Sequence, residues 1–512
     1  MRKMGARTLV KEEELDPDQE LRDEFDDLTR RVGAPLPDPP KAVRISFFAA
    51  PCPPDKSRWR ELLPEDSFLG YAVIVQARVP PDAESARQHA PSGELAYVLE
   101  AVARPPGWAC EDQKGRYAIR GATNYYVHCQ RTFKTTIGPK GSSKEYTLNG
   151  AFFCQQNGLT HVCAHAALRM ILNTGKGLVD HKVTNREVNE ILGIDHEQVT
   201  VQHGLSPEQI LTVPNRLGIN VLGADFIALP AVDYAEWAYP LVESGYSVLL
   251  AFNPTHAEGH VVALIGHTMN SDKWDCEAHL AYRPEAFGTY HASAAWVDHF
   301  IINDDNFGMY TCMPPSYLRS KVLPQYDRTQ RAAFALGFLP AGVDVPPYSA
   351  EKAAVALVRQ LQACYQPPSE NRWLERIWVQ LREPQKGIVA RTLGRRTEEY
   401  VKYLGALVDS EGKPAPSAIP DAIRRGSEHL WVTEVSLPDL YTANKRKLGD
   451  VLVDAEASRT RGQPLLRYRW GWLPGLQIPQ NPGPGVMPAP WPLTGHVPVL
   501  RQSQVLGPYQ EW

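Results

Sequence analysis

Between residues 43 and 151, short runs rich in Val, Ile, Tyr and Phe recur: VRISFFAA, YAVIVQARV, ELAYVLEAVA and YYVHCQRTFKTTI. Pro, Gly and Ser separate them, which predicts strands, and IGPKGSSKEYTL reads as a hairpin connection. From Cys163 to Tyr310 helix and strand patterns alternate. CAHAALRMILN has a helical period and is followed by TGKG, with Gly175 as the expected C-cap. Thr184 with Glu187, and Ser206 with Gln209, form capping boxes. Pro207 stands at a first helical position, Gly218 closes that helix, and Asp233 is the expected cap of YAEWAYPLVESG. Three strand patterns follow: YSVLLAF, HVVALIGHT and WVDHFIIND. Helices first and antiparallel strands after them predict an α+β fold.

The flanks carry weaker patterns. Residues 1–42 are acidic and polar around KEEELDPDQELRDEFDDLTRR, which predicts a solvated helix or an arm ended by PLPDPP. Residues 345–512 read as an α/β C-terminal region. AEKAAVALVRQLQACY is helical there, HLWVTEVSL, KLGDVLVDA and LLRYRWGWL are strands, and residues 474–492 form a Pro/Gly-rich tail. The expected organisation is an arm over 1–42, a β-rich accessory domain over 43–150, a core over 151–320 and an accessory domain over 345–512.

A net charge of −4 over 512 residues does not suit a dedicated nucleic-acid binder. The clusters NKRK (444–447) and GRR (394–396) are read as solvated surface. No apolar run is long enough for a transmembrane helix, and the first residues lack a signal-peptide core. The eight cysteines form no CxxC pair, which suits reduced thiols and a cytoplasmic location.

One cysteine invites chemistry. In FFCQQNGLTHVCAHAALRMILN, Cys163 falls at the start of the predicted helix, with Gln156 and Gln155 seven and eight positions before it. A helix N-terminus favours a thiolate, and a nearby imidazolium favours it further. Acyl transfer also needs an oxyanion hole, which a glutamine amide and the Cys163 backbone N–H could form. His165 is a poor base, since two residues along a helix is roughly 200° of rotation. His161 lies too close in sequence. His260 is the better base, because it opens HVVALIGHT just after the NPTHAEG turn. The next strand, HFIIND, ends in Asp304 and Asp305, either of which could orient the imidazole. His161, Cys163 and His165 form the one compact candidate metal cluster, but no metal or other cofactor is expected. Cys154, Cys312 and the remaining cysteines are assigned to packing.

The order of a Gln before a Cys-led helix, then GHVVALIGH, then IIND resembles the papain-like cysteine peptidases, nearest the bacteriocin leader (double-glycine) peptidase branch. The resemblance covers residues 150–312. It implies a papain-like core with Cys163 as nucleophile, His260 as base, Asp304 as orienting acid and Gln156 as oxyanion donor. The chain departs from the family pattern in three places. Its Gln-to-Cys spacing is one residue longer, so Asn157 takes the usual glutamine place. Ala164 follows Cys163 where the family has Gly, and Asp305 follows Asp304 where it has Pro.

The expected activity is hydrolysis of peptide or isopeptide bonds through a thioester. The substrate would be a protein or peptide. Transfer to an amine, as in a transglutaminase or deamidase, stays open, as does an inactive peptidase-like binding module. The accessory regions are expected to select substrates or bind a partner protein, with no role for nucleic acid or membrane.

Overall fold

In chain order the elements are β1 (Thr8–Glu12), α1 (Gln19–Val32), β2 (Lys41–Phe48), α2 (Trp59–Leu62), β3 (Phe68–Arg78), β4 (Glu94–Ala103), β5 (Gly107–Glu111), β6 (Tyr117–Gly121), β7 (Tyr125–Val127), β8 (Arg131–Ile137) and β9 (Lys144–Phe153). Next come α3 (Cys163–Thr174), α4 (Asn185–Leu192), α5 (Pro207–Arg216), β10 (Asn220–Asp225), α6 (Tyr234–Glu243), β11 (Val248–Asn253), β12 (His260–Met269), β13 (Tyr290–Ala292), β14 (Val297–Asp304), β15 (Gly308–Met313) and β16 (Arg331–Leu339). The last are α7 (Pro347–Cys364), β17 (Ile388–Arg396), α8 (Thr397–Ala406), α9 (Ala418–Arg424), β18 (His429–Ser436), β19 (Gly449–Asp454), β20 (Leu466–Trp470) and β21 (Leu473–Gln477).

This computed structural model describes residues 5–477, apart from 14, 16–17, 33–35, 37, 56–57, 80–92, 112–116, 122–123, 139–142, 195–203, 230–231, 254–258, 270–289, 319–330, 365–378, 380–386, 407–417, 425, 439–446, 448, 457–465 and 471–472. Most of the NPTHAEG turn, the middle of IGPKGSSKEYTL, most of NKRK and the tail beyond Gln477 therefore lie outside the described residues.

The chain is a mixed α+β protein whose sheets are mainly antiparallel. It divides into two compact units. The first takes residues 1–231, 245–268 and 299–340, and the second takes 232–244, 269–298 and 341–512. Arm, β-rich stretch and most of the expected core thus share one unit, while α6 belongs to the second.

Among the described residues the first unit holds three sheets: one in the order β1-β2-β3-β4-β9-β8, one in the order β10-β16-β11-β12-β14-β15 with β7 added to β12, and the two-stranded β5-β6. Helix α3 packs against β9 of the first sheet and β11 of the second. Its residues 164–174 are all buried, so it has no polar outer face and serves as a central core helix. The capping boxes form helices as expected. Thr184 accepts the Glu187 N–H at 3.2 Å, and Ser206 and Gln209 cap each other's backbone at 3.3 and 2.9 Å. Gly175 is not left-handed. A Cβ there would meet the Leu178 side chain at 2.2 Å, so that side chain would have to shift to admit one.

Three expectations change. The acidic segment is not a solvated arm: β1 pairs with β2, and α1 buries Leu21, Glu24, Asp27 and Leu28. Arg186 of α4 holds that helix through Asp27 at 2.7 Å and through Asp23, so its carboxylates are paired instead of hydrated. YYVHCQRTFKTTI is two strands in two sheets. Gly266 permits this, since a Cβ there would lie 2.2 Å from the Tyr126 carbonyl of β7. Cys52 and Cys312, the latter on β15, are exposed and are not packing residues.

The second unit holds the sheet β13-β17-β18-β19-β20-β21, parallel at β13–β17 and antiparallel at its other strand pairs among the described residues. A core of Leu393, Tyr400, Val401 and Leu452 packs α8 on that sheet. Lys447 is not solvated. It is buried between Glu434 at 2.6 Å and Asp450 at 2.7 Å. Among the described residues, no helix is long and apolar enough to cross a membrane.

Candidate active site

Cys163 is the first residue of α3, after Val162 in extended backbone. Its side chain is only half-buried, whereas the rest of the helix is enclosed. His260 opens β12, and Asp304 closes the neighbouring strand β14. Strand order therefore brings ring and carboxylate together, with His260 Nε2 3.2 Å from Asp304 Oδ1. Ring and Cys163 line the same groove. With Nε2 turned to Asp304, Nδ1 is the nitrogen left for the thiol.

Asp304 is itself held. Its Oδ1 accepts the N–H groups of Asn306 at 2.8 Å and Phe307 at 3.3 Å. The Phe252 ring stands edge-on to His260 with centroids 5.5 Å apart, which limits how the imidazole can turn. Asp305 is buried, and its carboxylate lies 3.7 Å from His260 Nε2.

The electrostatics follow from these contacts. Burial opposes charge on His260, but the bond to Asp304, the Cys163 side chain and the two aspartates outweigh it and raise the pKa to about 10. Burial pushes Asp304 up, yet the His260 hydrogen bond and charge and the two backbone N–H groups bring it below its ordinary value. Asp305 is pushed up to about 6, by burial first; the His260 charge opposes this and the Asp304 charge adds to it. Asp304 is thus the ionised partner at neutral pH, and Asp305 the carboxyl closer to neutralisation.

The two glutamines separate clearly. Gln155 is used by the fold: its Oε1 accepts the Val98 N–H at 3.0 Å and its Nε2 donates to the Asp305 carbonyl at 3.3 Å. Gln156 lines the same cavity as Cys163 and His260, and its Nε2 donates to Asn306 Oδ1 at 3.4 Å. That cavity is an open groove of about 1120 Å³. Phe334 and Leu336 of β16 and Phe252 of β11 give it an apolar side, and Ile210 and Leu211 of α5 line it as well.

His161 and His165 form no metal site with Cys163. His161 is fully buried, with Nε2 donating to the Gln155 carbonyl at 2.9 Å. His165 is turned to Asn189 Oδ1 at 2.8 Å. Among the described residues of this unit, the group able to hold a divalent cation is His260, Asp304 and Asp305, whose ligand atoms lie within 4.8 Å of one another.

Sequence reasoning missed Asn306. Its Nδ2 lies 3.4 Å from His260 Nε2, and its Oδ1 receives the Gln156 amide. The turn-forming run DDNFG after a strand was the available signal. Asn157, at the usual glutamine place of the family pattern, does not line the groove and is buried. The chain matches no protein-family model, and no curated protein matches it.

Proposed function

We propose that the first unit is a cysteine peptidase with a papain-like core, acting on peptide or isopeptide bonds of a protein or peptide laid in the groove. The observation that carries this reading is the His260 ring, hydrogen-bonded to Asp304 at 3.2 Å and lining the same groove as Cys163. In the reaction, the thiol proton resides on His260 as the imidazolium, and the thiolate Sγ of Cys163 bonds to the carbonyl carbon as the carbonyl π electrons pass to oxygen. The oxyanion is met by the Cys163 backbone N–H and by the Gln156 amide after it leaves Asn306. His260 then protonates the leaving amine, the C–N bond breaks, and a thioester remains. Water attacks the thioester, with its proton passing to His260. The acid is released and the thiol restored. Asp304 keeps the imidazole oriented and stabilises its charge.

The described cysteines 52, 129, 154, 163 and 312 are all unbridged, which supports a reducing, cytoplasmic setting.

The test is to incubate the protein with a peptide library and read new termini and intact protein mass. Cleavage by the parent, a thioester adduct on Cys163 and neither with Cys163→Ala would support the reading. Products joined to added amines would shift it to acyl transfer. A parent that binds peptide, forms no adduct and cuts nothing would be a binding module.

A further inference from the structure

The loop from Gln155 to Val162 does two jobs in the proposed site: it sets Gln156 in the groove, and it delivers Cys163 to the start of α3. Its shape depends on one buried side chain. Asn157 Oδ1 accepts the N–H groups of Leu159 and Thr160 at 2.9 Å and that of His161 at 3.4 Å. The loop is pinned at its start as well, because His161 reaches back to the Gln155 carbonyl.

These groups converge on Glu24 of α1, far off in sequence. Glu24 Oε1 accepts from Tyr97 Oη at 2.5 Å, from Asn157 Nδ2 at 3.1 Å and from Thr160 Oγ1 at 3.4 Å. Its Oε2 accepts from Asn185 Nδ2 at 3.5 Å, and that amide lies 3.2 Å from His161 Nδ1. Glu24 is 4% exposed, Asn157 4% and His161 0%, so water does not substitute for these partners cheaply. The hydrogen bonds of Glu24 run to Tyr97, Asn157, Thr160 and Asn185. The network thus bears on the oxyanion side of the site and leaves the thiol–imidazole side alone.

We propose that Glu24 is a positioning residue for catalysis: through Asn157 and His161 it fixes the 155–162 loop so that the Gln156 amide and the Cys163 N–H converge on one oxyanion. This rests on the peptidase reading of the groove. It also assigns the acidic N-terminal segment a role in the chemistry of the unit.

A misplaced donor costs turnover more than binding, because the oxyanion exists only after attack. Glu24→Ala and Asn157→Ala should therefore lower kcat about 30-fold or more while leaving KM within a few-fold. The alkylation rate of Cys163 by iodoacetamide should stay close to the parent's. Glu24→Gln should restore most of the activity. It keeps the Oε1 acceptor for Tyr97, Asn157 and Thr160 and gives up only the longest of the four bonds, the one from Asn185 at 3.5 Å. Turnover is normalised to alkylatable Cys163, so that only intact sites count.

Parent-like kcat in both alanine variants would overturn the proposal. So would alkylation falling in step with kcat, or failure of both variants to fold, since each reduces Glu24 to a stabilising role. Failure of the peptidase reading shows separately, in the parent: no turnover, and a Cys163 no more reactive than free cysteine. That result would overturn both.

Discussion

Each unit buries a network of opposite charges, and the two networks differ in what stands next to them. In the first unit, Arg169 of α3 pairs with Glu20, and Lys182 pairs with Glu20 and Glu100. In the second, Arg391 pairs with Glu243 and Glu434, while Lys447 joins Glu434 to Asp450. Arg169 and Arg391 are both at 0% exposure and Lys447 is buried too, while Lys182 is exposed at the edge of the first network. Yet the helix that carries Arg169 begins with a half-buried thiol beside an imidazole in an open groove. Arg391 of the second unit instead lies mid-strand in β17, directly opposite Glu434 of β18. Buried charge is therefore a poor marker of chemistry, because structural ion pairs produce it equally well. The marker is the combination of a nucleophile, a held base and access.

This contrast can be broken by paired substitutions. The largest effect belongs to His260→Ala, which should lower kcat/KM by roughly 10⁴-fold or more with little change in thermal midpoint, since nucleophile and base act as a unit. Arg391→Ala should do the reverse. Stripping one partner from a buried network costs about 3–5 kcal/mol, read as denaturation midpoint, while turnover per folded molecule stays at the parent level. A catalytic loss in folded Arg391→Ala protein would erase the distinction between the units.

Next in size is the glutamine pair. Gln156→Ala should lower kcat by about 10²–10³-fold, the usual cost of one oxyanion donor. Gln155→Ala should show mainly as lower stability, because its amide bonds the backbone of Val98 and Asp305. Interchanged phenotypes would assign the donor role to Gln155.

A smaller effect concerns pH. The folded pKa of His260, about 10, lies above the ordinary imidazole value, so the folded state binds this proton more tightly. Its stabilising contribution is full below about pH 6.5 and is lost as pH rises toward 10. Asp304, lowered in the fold, contributes above its ordinary carboxylate value and loses that contribution as pH falls. Asp305, raised to about 6, opposes the fold as it ionises. In the pH–rate profile, the form that protonates the leaving amine disappears as pH passes about 10. Asp304→Asn should move that alkaline limb down toward the ordinary imidazole range. An unmoved limb would transfer the orienting role to Asp305.

The smallest effect expected is from metal removal. A chelator should leave activity unchanged, whereas added zinc should inhibit, since His260, Asp304 and Asp305 can share a cation. Activity lost to the chelator and restored by zinc would contradict a thiol mechanism.

What could be read from the sequence was local. Caps at Thr184, Ser206 and Asp233 depend on neighbours within a few residues, and they form as their spacing predicts. The strands that bring His260 to Asp304 follow from apolar runs and short connections. The charges of α1 were not legible. DQELRDEFDDL looks solvated because its partners, Arg186, Tyr97 and Asn157, lie more than seventy positions away. Nor was the split of YYVHCQRTFKTTI, which depends on the close approach at Gly266. Gln155 and Gln156 are identical as letters, and only the direction of each side chain separates them.

The most direct test is a double-mutant cycle on Cys163→Ala and His260→Ala, reading kcat/KM for one cleaved peptide in the parent, both single variants and the double. If the thiol and imidazole act as one unit, the double variant should be no slower than either single within about 3-fold. If the two losses multiply instead, Cys163 and His260 act independently, and a Cys–His peptidase site is contradicted.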